Sequence, residues 1–128
     1  MRPDLAPELQ QEITAALRAG GARFALIHGS RAAGTARADS DVDVAAWWGR
    51  SAPASFEVLL PPGVDLLVLD TAPLEIAGRI ALHGVELFDD DPPARVRWVA
   101  TTRKIYLDEL PRLERSRREF LETVRRGR

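Results

Sequence analysis

The sequence contains no cysteine among its 128 residues. This absence excludes a disulfide framework, a zinc site with cysteine ligands and a catalytic thiol. Histidine is also scarce, because only His28 and His83 are present, too few for a histidine-rich metal cluster. No apolar run approaches the roughly 20 residues that cross a bilayer, and residues 1–4 do not begin a signal peptide. We therefore expect a cytoplasmic protein that makes no membrane contact.

The residues that are present have the composition of a globular protein. Hydrophobic residues make up 45% and charged residues 29% of the chain, which excludes a disordered tail protein. A chain of this length supplies the core of one domain, so we expect a single domain over residues 1–128.

Charge is unevenly distributed along the chain. Residues 1–94 carry a net charge of −7, whereas residues 95–128 carry +6, and 17 of the 18 basic residues are arginine. Such a split can mark a surface for nucleic acid or an acidic partner. A solvated, arginine-rich helix explains it as well, because charge steers partners together without specifying them. We therefore do not expect nucleic-acid binding.

Hydrophobic periodicity predicts an α/β (α+β) fold, with a small mixed sheet of about four strands and a helical C-terminal end. The predicted elements are a helix over 5–19, strands at 24–27, 41–48, 64–69 and 85–88, a helix over 73–83, and helices over 94–109 and 112–126. Asp91 is a natural cap for the first C-terminal helix, and Pro111 is expected to separate it from the second.

The chemistry is concentrated between residues 28 and 43. Asp41 and Asp43 are two residues apart, which on a strand places both carboxylates on one face, about 6–7 Å apart. Two like charges at that distance favour a bound cation, and Mg²⁺ prefers carboxylates together with phosphate oxygens. Asp65 lies within an apolar run, where an unpaired acid is expensive to bury. If the two strands are neighbours, the three acids can converge on a two-metal site.

The turn before these acids has the composition of a phosphate site. Gly29 ends a buried strand and lets the backbone approach a phosphate closely, and Ser30 offers a hydroxyl at a helix N-terminus. Arg31 and Arg37 are available to neutralise a triphosphate. The spacing of Gly29 and Gly34 mimics a P-loop, but Thr35 stands where the lysine is required, which excludes a Walker ATPase.

Gly-Ser followed by ten residues and Asp-x-Asp resembles the motif of nucleotidyltransferases of the DNA polymerase beta superfamily. In this chain the motif is Gly29-Ser30 and Asp41-x-Asp43, extended by Arg31 and Ser40. The resemblance covers roughly residues 20–90, and helices over about 92–126 follow. The short members of that superfamily are usually antitoxins of HEPN–MNT toxin–antitoxin pairs, and some transfer AMP from ATP onto a tyrosine of the HEPN partner.

This resemblance implies a nucleotidyltransferase fold, two Mg²⁺ ions, ATP as substrate and a HEPN toxin as partner. The residues that it implies as catalytic and metal-binding are Asp41, Asp43 and Asp65. Those that it implies for nucleotide binding are Gly29, Ser30, Arg31, Arg37 and Ser40. Asp65 would also activate the attacking hydroxyl. Homo-oligomerisation stays open.

Three functions are therefore compared. The leading hypothesis is AMP transfer to a toxin tyrosine, and the second is a non-catalytic antitoxin that neutralises its partner by docking alone. The third, transfer to a small molecule such as an aminoglycoside, is disfavoured because about 35 residues after Asp91 leave no room for an added substrate domain.

Several other residues have a structural and a functional interpretation. His28 is expected to pack or to hydrogen-bond rather than to catalyse, and Trp47 and Trp48 are expected in the core, with base stacking as the alternative. Tyr106 is a candidate for self-modification but is expected to be half-buried. The last helix carries a narrow apolar stripe, which suits self-packing and partner contact equally: Leu113, Phe120, Leu121 and Val124.

Overall fold

A computed structural model describes residues 3–127 of the chain, and its centre is one mixed sheet of four strands. The strands are β1 (Phe24–His28), β2 (Val42–Trp47), β3 (Val64–Val68) and β4 (Val85–Asp89). Their order across the sheet is β3-β2-β1-β4. β1 pairs antiparallel with both β2 and β4, whereas β2 and β3 are parallel. The predicted mixed sheet of about four strands is confirmed.

Four helices surround the sheet: α1 (Pro7–Ala19), α2 (Ser30–Ala33), α3 (Leu74–His83) and α4 (Pro92–Arg125). Two short 3-10 turns lie at Ser55–Glu57 and Leu69–Thr71. Asp91 caps α4 as predicted, because its carboxylate accepts the N–H of Ala94, and Pro7 occupies the first turn of α1.

The core has one layer on each side of the sheet. On one face, Ile13 and Leu17 of α1 pack against alternate strand residues such as Ile27 and Val44. On the other face, Ile80 of α3 packs against buried and half-buried side chains of the sheet, the turn after β3 and α4: Phe24, Leu26, Ala45, Leu69, Trp47, Leu67 and Trp98. The predicted burial of β1 on both faces is confirmed, and each fully buried large side chain contributes about 1.5–3 kcal/mol.

The C-terminal end corrects the prediction of two helices. α4 continues through Pro111 as one helix of 34 residues. Proline removes one backbone hydrogen bond, to the carbonyl four residues earlier, which here belongs to Leu107. Leu107 is exposed, so water can satisfy that carbonyl, and the flanking arginine, leucine and glutamate residues are good helix formers.

The two halves of α4 differ in their surroundings. The first half packs on α3, where the ring of Tyr106 lies so close to Gly78 that a Cβ there would stand 2.1 Å from the Tyr106 Cγ. In the second half Phe120, Leu121 and Val124 are all more than half exposed. Self-packing of that apolar stripe is therefore not observed for these three side chains. Within residues 3–127, no helix is long and apolar enough to span a membrane.

Candidate active site

Acidic side chains from neighbouring strands lie side by side at one end of the sheet. Asp43 of β2 pairs in register with Asp65 of β3 on one side and with His28 of β1 on the other. Cross-strand partners lie on the same face of a sheet, so these three side chains form a row across β1, β2 and β3. Asp41 immediately precedes Val42, the first residue of β2. The expected neighbourhood of the two acid-bearing strands is confirmed.

Asp65 lies beside Asp43 as expected, but it is not buried. The sequence pattern suggested a buried acid, but β3 is an edge strand and Asp65 is exposed. An apolar run that alternates only weakly is typical of a central strand, and the edge position was therefore not evident from the sequence. Solvent reduces the cost of an unpaired carboxylate here, and Asp65 stands open beside Asp43.

The carboxylates of Asp41, Asp43 and Asp65 take part in none of the hydrogen bonds or ion pairs formed among residues 3–127. They are also not a ready-made metal cage, because nowhere in that described range do three or more His, Asp or Glu side chains come together closely enough to hold an ion. Mg²⁺ is commonly held by one or two carboxylates that are completed by substrate phosphates and water. The donor set present fits a Mg²⁺ ion of that kind.

Gly29 is required by the close approach of the backbone to Asp43. Its φ of +70° lies in the region that side chains disfavour, and a Cβ at this position would stand 2.4 Å from the Asp43 Oδ2. Glycine thus allows the turn after β1 to pass directly against the carboxylate. The backbone at Gly29 therefore approaches an aspartate closely, and its approach to a phosphate stays a prediction.

Ser30 opens the single helical turn α2, which Gly34 ends in a left-handed conformation with φ +75°. The N–H groups of Ala32 and Ala33 bond to the Gly29 carbonyl, and that of Thr35 bonds to the Ser30 carbonyl. The turn is therefore well braced. Of the four N–H groups of α2, those of Ala32 and Ala33 are thus bonded, which leaves those of Ser30 and Arg31 open to an anion.

Arg31, Arg37 and Ser40 hold the loop between α2 and β2 together. The Arg31 Nη2 donates to the Ser40 carbonyl at 2.9 Å, and its Nη1 reaches the Asp4 carbonyl at 3.4 Å. The Ser40 hydroxyl oxygen accepts the backbone N–H of Arg37 at 2.8 Å. These contacts give Arg31 and Ser40 a loop-bracing role, and their predicted contact with a nucleotide stays a prediction, as does that of the exposed Arg37.

A cleft of about 920 Å³ adjoins the turn after β1. One wall consists of His28, Gly29 and Ser30 with neighbouring residues of α2 and its C-terminal turn, and the other wall is α3. The α3 residues that line it are Ile76, Arg79, Ile80, Leu82 and His83. This second wall was not predicted from the sequence, in which His83 is only the last residue of the predicted helix over 73–83. The spacing of Arg79 and His83, four residues apart and hence on one helix face, is the signal that was available.

His28 lies between the cleft and the carboxylates. Burial lowers the pKa of its imidazole, and the nearby Asp43 carboxylate only partly offsets that effect. The ring is therefore neutral at pH 7. Its Nε2 is buried and has no hydrogen-bond partner among the described residues, so the packing role expected for His28 is present without a hydrogen bond at that nitrogen.

The aromatic side chains near the site are structural. Trp47 stacks on Phe24 with ring centroids 5.4 Å apart, and the Trp48 Nε1 donates to the Gly20 carbonyl at 2.9 Å. Tyr106 is buried against α3, which leaves it inaccessible as an acceptor. The expected core position is confirmed for Trp48, whereas Trp47 is half-buried beside the core.

Solved structures include chains that share the fold of this protein. No model of a known protein family and no curated protein matches the sequence. A chain of a toxin–antitoxin structure with AMP-PNP matches with a TM-score of 0.70 and 21% identity, over 90% of this chain and 97% of that one. A chain of the toxin–antitoxin pair MntA–HepT matches at 0.67 and 18%, over 93% and 98%.

A third match is a chain of the tri-AMPylated Shewanella oneidensis HEPN toxin in complex with its MNT antitoxin. Its TM-score is 0.65 with 17% identity, over 91% of this chain and 96% of that one. At these identities the likeness establishes a shared fold. The nucleotidyltransferase fold expected from the Gly-Ser and Asp-x-Asp motif is thereby confirmed.

Proposed function

We propose that this chain is a Mg²⁺-dependent nucleotidyltransferase that transfers AMP from ATP to a tyrosine hydroxyl of a HEPN toxin and thereby acts as its antitoxin. The observation that supports this most strongly is the pairing of Asp43 with Asp65 beside the Gly29–Ser30 turn. The structural likenesses support the choice of an adenine nucleotide and of a toxin partner, because they include an AMP-PNP complex and a tri-AMPylated toxin. A cytoplasmic location, where ATP is available, goes with this proposal.

The cleft beside α2 is the proposed nucleotide site. Its volume of about 920 Å³ is ample for ATP and falls within the usual range for ligand sites. The Ser30 hydroxyl and the N-terminal N–H groups of α2 would bind phosphate oxygens. Arg79 and His83 on the opposite wall add polar groups, and Ile76 and Ile80 offer apolar contact to a base.

Mg²⁺ would be held by Asp41 and Asp43 together with phosphate oxygens of the nucleotide, with Asp65 completing the set of carboxylates. When bound, it neutralises charge on the phosphates. Asp65, which is exposed on the edge strand, is the proposed general base. It accepts the proton of the tyrosine hydroxyl as the oxygen–phosphorus bond forms and the bond to pyrophosphate breaks.

The experiment uses ATP labelled at its α-phosphate, with Mg²⁺ and a lysate of the host cells. The wild-type chain is compared with the Asp41→Ala, Asp43→Ala double variant, and the matched control is Asp39→Ala, an exposed acid of the preceding turn outside the motif. A protein band labelled by the wild type and by the control, but not by the double variant, supports the proposal. Label found only in small molecules would instead favour a small-molecule acceptor.

Docking without catalysis is the second candidate, and the exposed apolar stripe on the second half of α4 favours it. If docking alone neutralises the toxin, the Asp41→Ala, Asp43→Ala variant still protects cells that express it. Loss of protection in that variant, with its fold intact by circular dichroism, would exclude this candidate.

A further inference from the structure

A second concave surface lies on the opposite side of the carboxylates from the nucleotide cleft. It is a groove of about 350 Å³ between β3 and the segment 55–60. Three consecutive β3 residues, Val64, Asp65 and Leu66, line it. Side chains of consecutive strand residues alternate between faces, so a groove lined by all three runs along the strand's outer edge. Asp65 thus belongs both to the carboxylate row and to this groove, which we call the edge groove.

The other wall of the edge groove exposes unusual apolar surface. Phe56 is 86% exposed and Leu59 is 92% exposed, the highest values for large apolar side chains within residues 3–127. Their neighbours Val58 and Leu60 pack against the core beneath. The segment is therefore anchored by one pair of side chains and presents the other pair to solvent. Contiguous exposed apolar side chains next to a site are typical of an interaction surface.

The two concave surfaces stand on opposite sides of the row His28, Asp43 and Asp65. The nucleotide cleft adjoins His28 on β1, and the edge groove adjoins Asp65 on β3, two strands away. Phosphoryl transfer is in line, so the attacking and leaving oxygens lie on opposite sides of the phosphorus. A nucleotide whose phosphates rest on the β1 side would thus be approached by its acceptor from the β3 side.

We propose that the edge groove binds the tyrosine-bearing segment of the acceptor protein as an extended strand. Its apolar side chains would pack on Phe56 and Leu59, and its phenol would reach Asp65. This inference rests on the proposed function. It adds the surface and the backbone conformation of the acceptor: β3 is an edge strand that pairs on one side only within the described chain, and extended peptides add to such edges by main-chain hydrogen bonds.

The transfer itself balances without any further reactant. The phenol oxygen forms a bond to the α-phosphorus of ATP while the bond from that phosphorus to the pyrophosphate oxygen breaks. The phenol proton passes to the Asp65 carboxylate, and pyrophosphate leaves from the side of the nucleotide cleft. The edge groove contributes binding and orientation of the acceptor, so its loss should raise KM for the acceptor more than it lowers kcat.

The binding test uses the ¹⁵N-labelled full chain and a short synthetic peptide in which one tyrosine alternates with valine and threonine. NMR titration is expected to shift the amides of residues 55–60 and 64–68. It should leave those of residues 112–125 unchanged. The Phe56→Ala, Leu59→Ala variant should lose these shifts. AMP-PNP should still perturb the amides of residues 29–35 in that variant, since both side chains lie outside the nucleotide cleft.

The matched control is Phe120→Ala, Leu121→Ala, an equally exposed apolar pair on α4. With α-labelled ATP and the same peptide as acceptor, we expect the Phe56→Ala, Leu59→Ala variant to lose about tenfold in kcat/KM, mostly through KM. The control should transfer at the wild-type rate. Equal transfer by both variants, or amide shifts confined to α4, would overturn the proposal.

Two outcomes separate this inference from the function beneath it. If the peptide shifts amides at the edge groove but is not labelled, the edge groove binds the acceptor and the AMP-transfer proposal is wrong. If the peptide is labelled equally well without Phe56 and Leu59, AMP transfer is supported and binding at the edge groove is wrong. A dimer in analytical ultracentrifugation that Phe56→Ala, Leu59→Ala disrupts and the peptide does not would assign the edge groove to a second copy of the chain, which also overturns the proposal.

Discussion

Two groups of aspartates in this chain have opposite surroundings. Asp70, Asp89, Asp90 and Asp91 each accept a hydrogen bond from a backbone N–H or from an arginine. Asp41, Asp43 and Asp65 accept none from any residue of 3–127. Unsatisfied carboxylates that crowd together lower stability unless a cation or ligand joins them. The first group holds the fold, whereas the second group has no bonding partner among the described residues, as its proposed role in binding a metal requires.

The bonded group lies where strands end and helices begin. Asp70 accepts the N–H of Trp48 at 3.0 Å and that of Gly49 at 2.7 Å, and so ties the end of β2 to the turn after β3. Asp91 caps α4 and Asp90 pairs with Arg18 of α1. Each of these carboxylates accepts a hydrogen bond from a backbone N–H or from an arginine near the end of a helix or strand. Asp41, Asp43 and Asp65 have no such partner among residues 3–127.

The largest effect should follow from removing a free acid. If the proposed function is right, Asp43→Asn should lower AMP transfer about a thousandfold, because the carboxylate proposed to bind the cation is lost. Its thermal midpoint should stay the same or rise, since one like charge leaves the cluster. Labelled transfer and differential scanning calorimetry measure the two quantities. Normal transfer would contradict a metal-binding role for Asp43. Unfolding of the variant would show that the Asp43 carboxylate supports the fold.

The next effect concerns Gly29, which lies against a free acid. Gly29→Ala should displace the Asp43 carboxylate and cost about 1–3 kcal/mol of stability, together with most of the transfer activity. Gly34→Ala is the control, because its φ of +75° is also positive, although its left-handed backbone is less costly for a side chain, and a Cβ there would meet nothing within 4 Å. The control should lose only about 1 kcal/mol and keep its activity. Equal losses in both variants, measured by urea unfolding, would show that backbone strain alone matters at Gly29.

A smaller effect, on stability alone, is expected at a bonded acid. Asp70→Ala leaves two backbone N–H groups without their acceptor, which should cost about 1–3 kcal/mol. The folded fraction should transfer AMP at the wild-type rate. Urea unfolding combined with activity per folded molecule tests both halves of the expectation, and a loss of activity that exceeds the loss of folded protein would contradict it.

The smallest effect is the pH dependence of an exposed pair. The hydrogen bond from Arg18 holds the pKa of Asp90 below its usual range. A carboxyl with a lowered pKa in the folded state stabilises the protein above the unfolded pKa, and that contribution is lost as the pH falls through the folded pKa. Asp90→Asn should therefore lower the thermal midpoint slightly at neutral pH and leave it unchanged at strongly acidic pH. A difference that persists at acidic pH would contradict the assignment.

The sequence was informative where local chemistry decides the structure. β1, with four consecutive apolar residues ended by a glycine, and the Asp-x-Asp pair on the next strand are both short-range patterns, and both are observed. The catalytic and binding roles assigned to Asp41, Asp43, Asp65, Gly29 and Ser30 stay predictions. Strand order does not follow from such short-range patterns. Asp65 was therefore interpreted as buried, although it lies on an edge strand.

Two further features escaped the sequence analysis for similar reasons. The α3 wall of the cleft depends on how α3 packs across the sheet, which no spacing within the helix specifies. Pro111 was interpreted as a break because proline within a helix usually is one. Whether a helix continues past it depends on whether the freed carbonyl is solvated and on the propensity of the flanking residues, and at Leu107 both favour continuation.

The long α4 has a consequence for the timing of local opening. Its first half gains stability from packing on α3, whereas residues 112–125 are tied to α3 mainly by the exposed ion pair of Arg117 with Glu75, and an isolated helix of that length is marginal in water. Their helicity is therefore propagated from the anchored half across Pro111, where one link of the hydrogen-bond ladder is missing. Hydrogen exchange should slow in a single step at that proline, with fast amides after it and protected ones before it. A partner bound to the second half would abolish the step, so the exchange pattern of α4 reports occupancy directly.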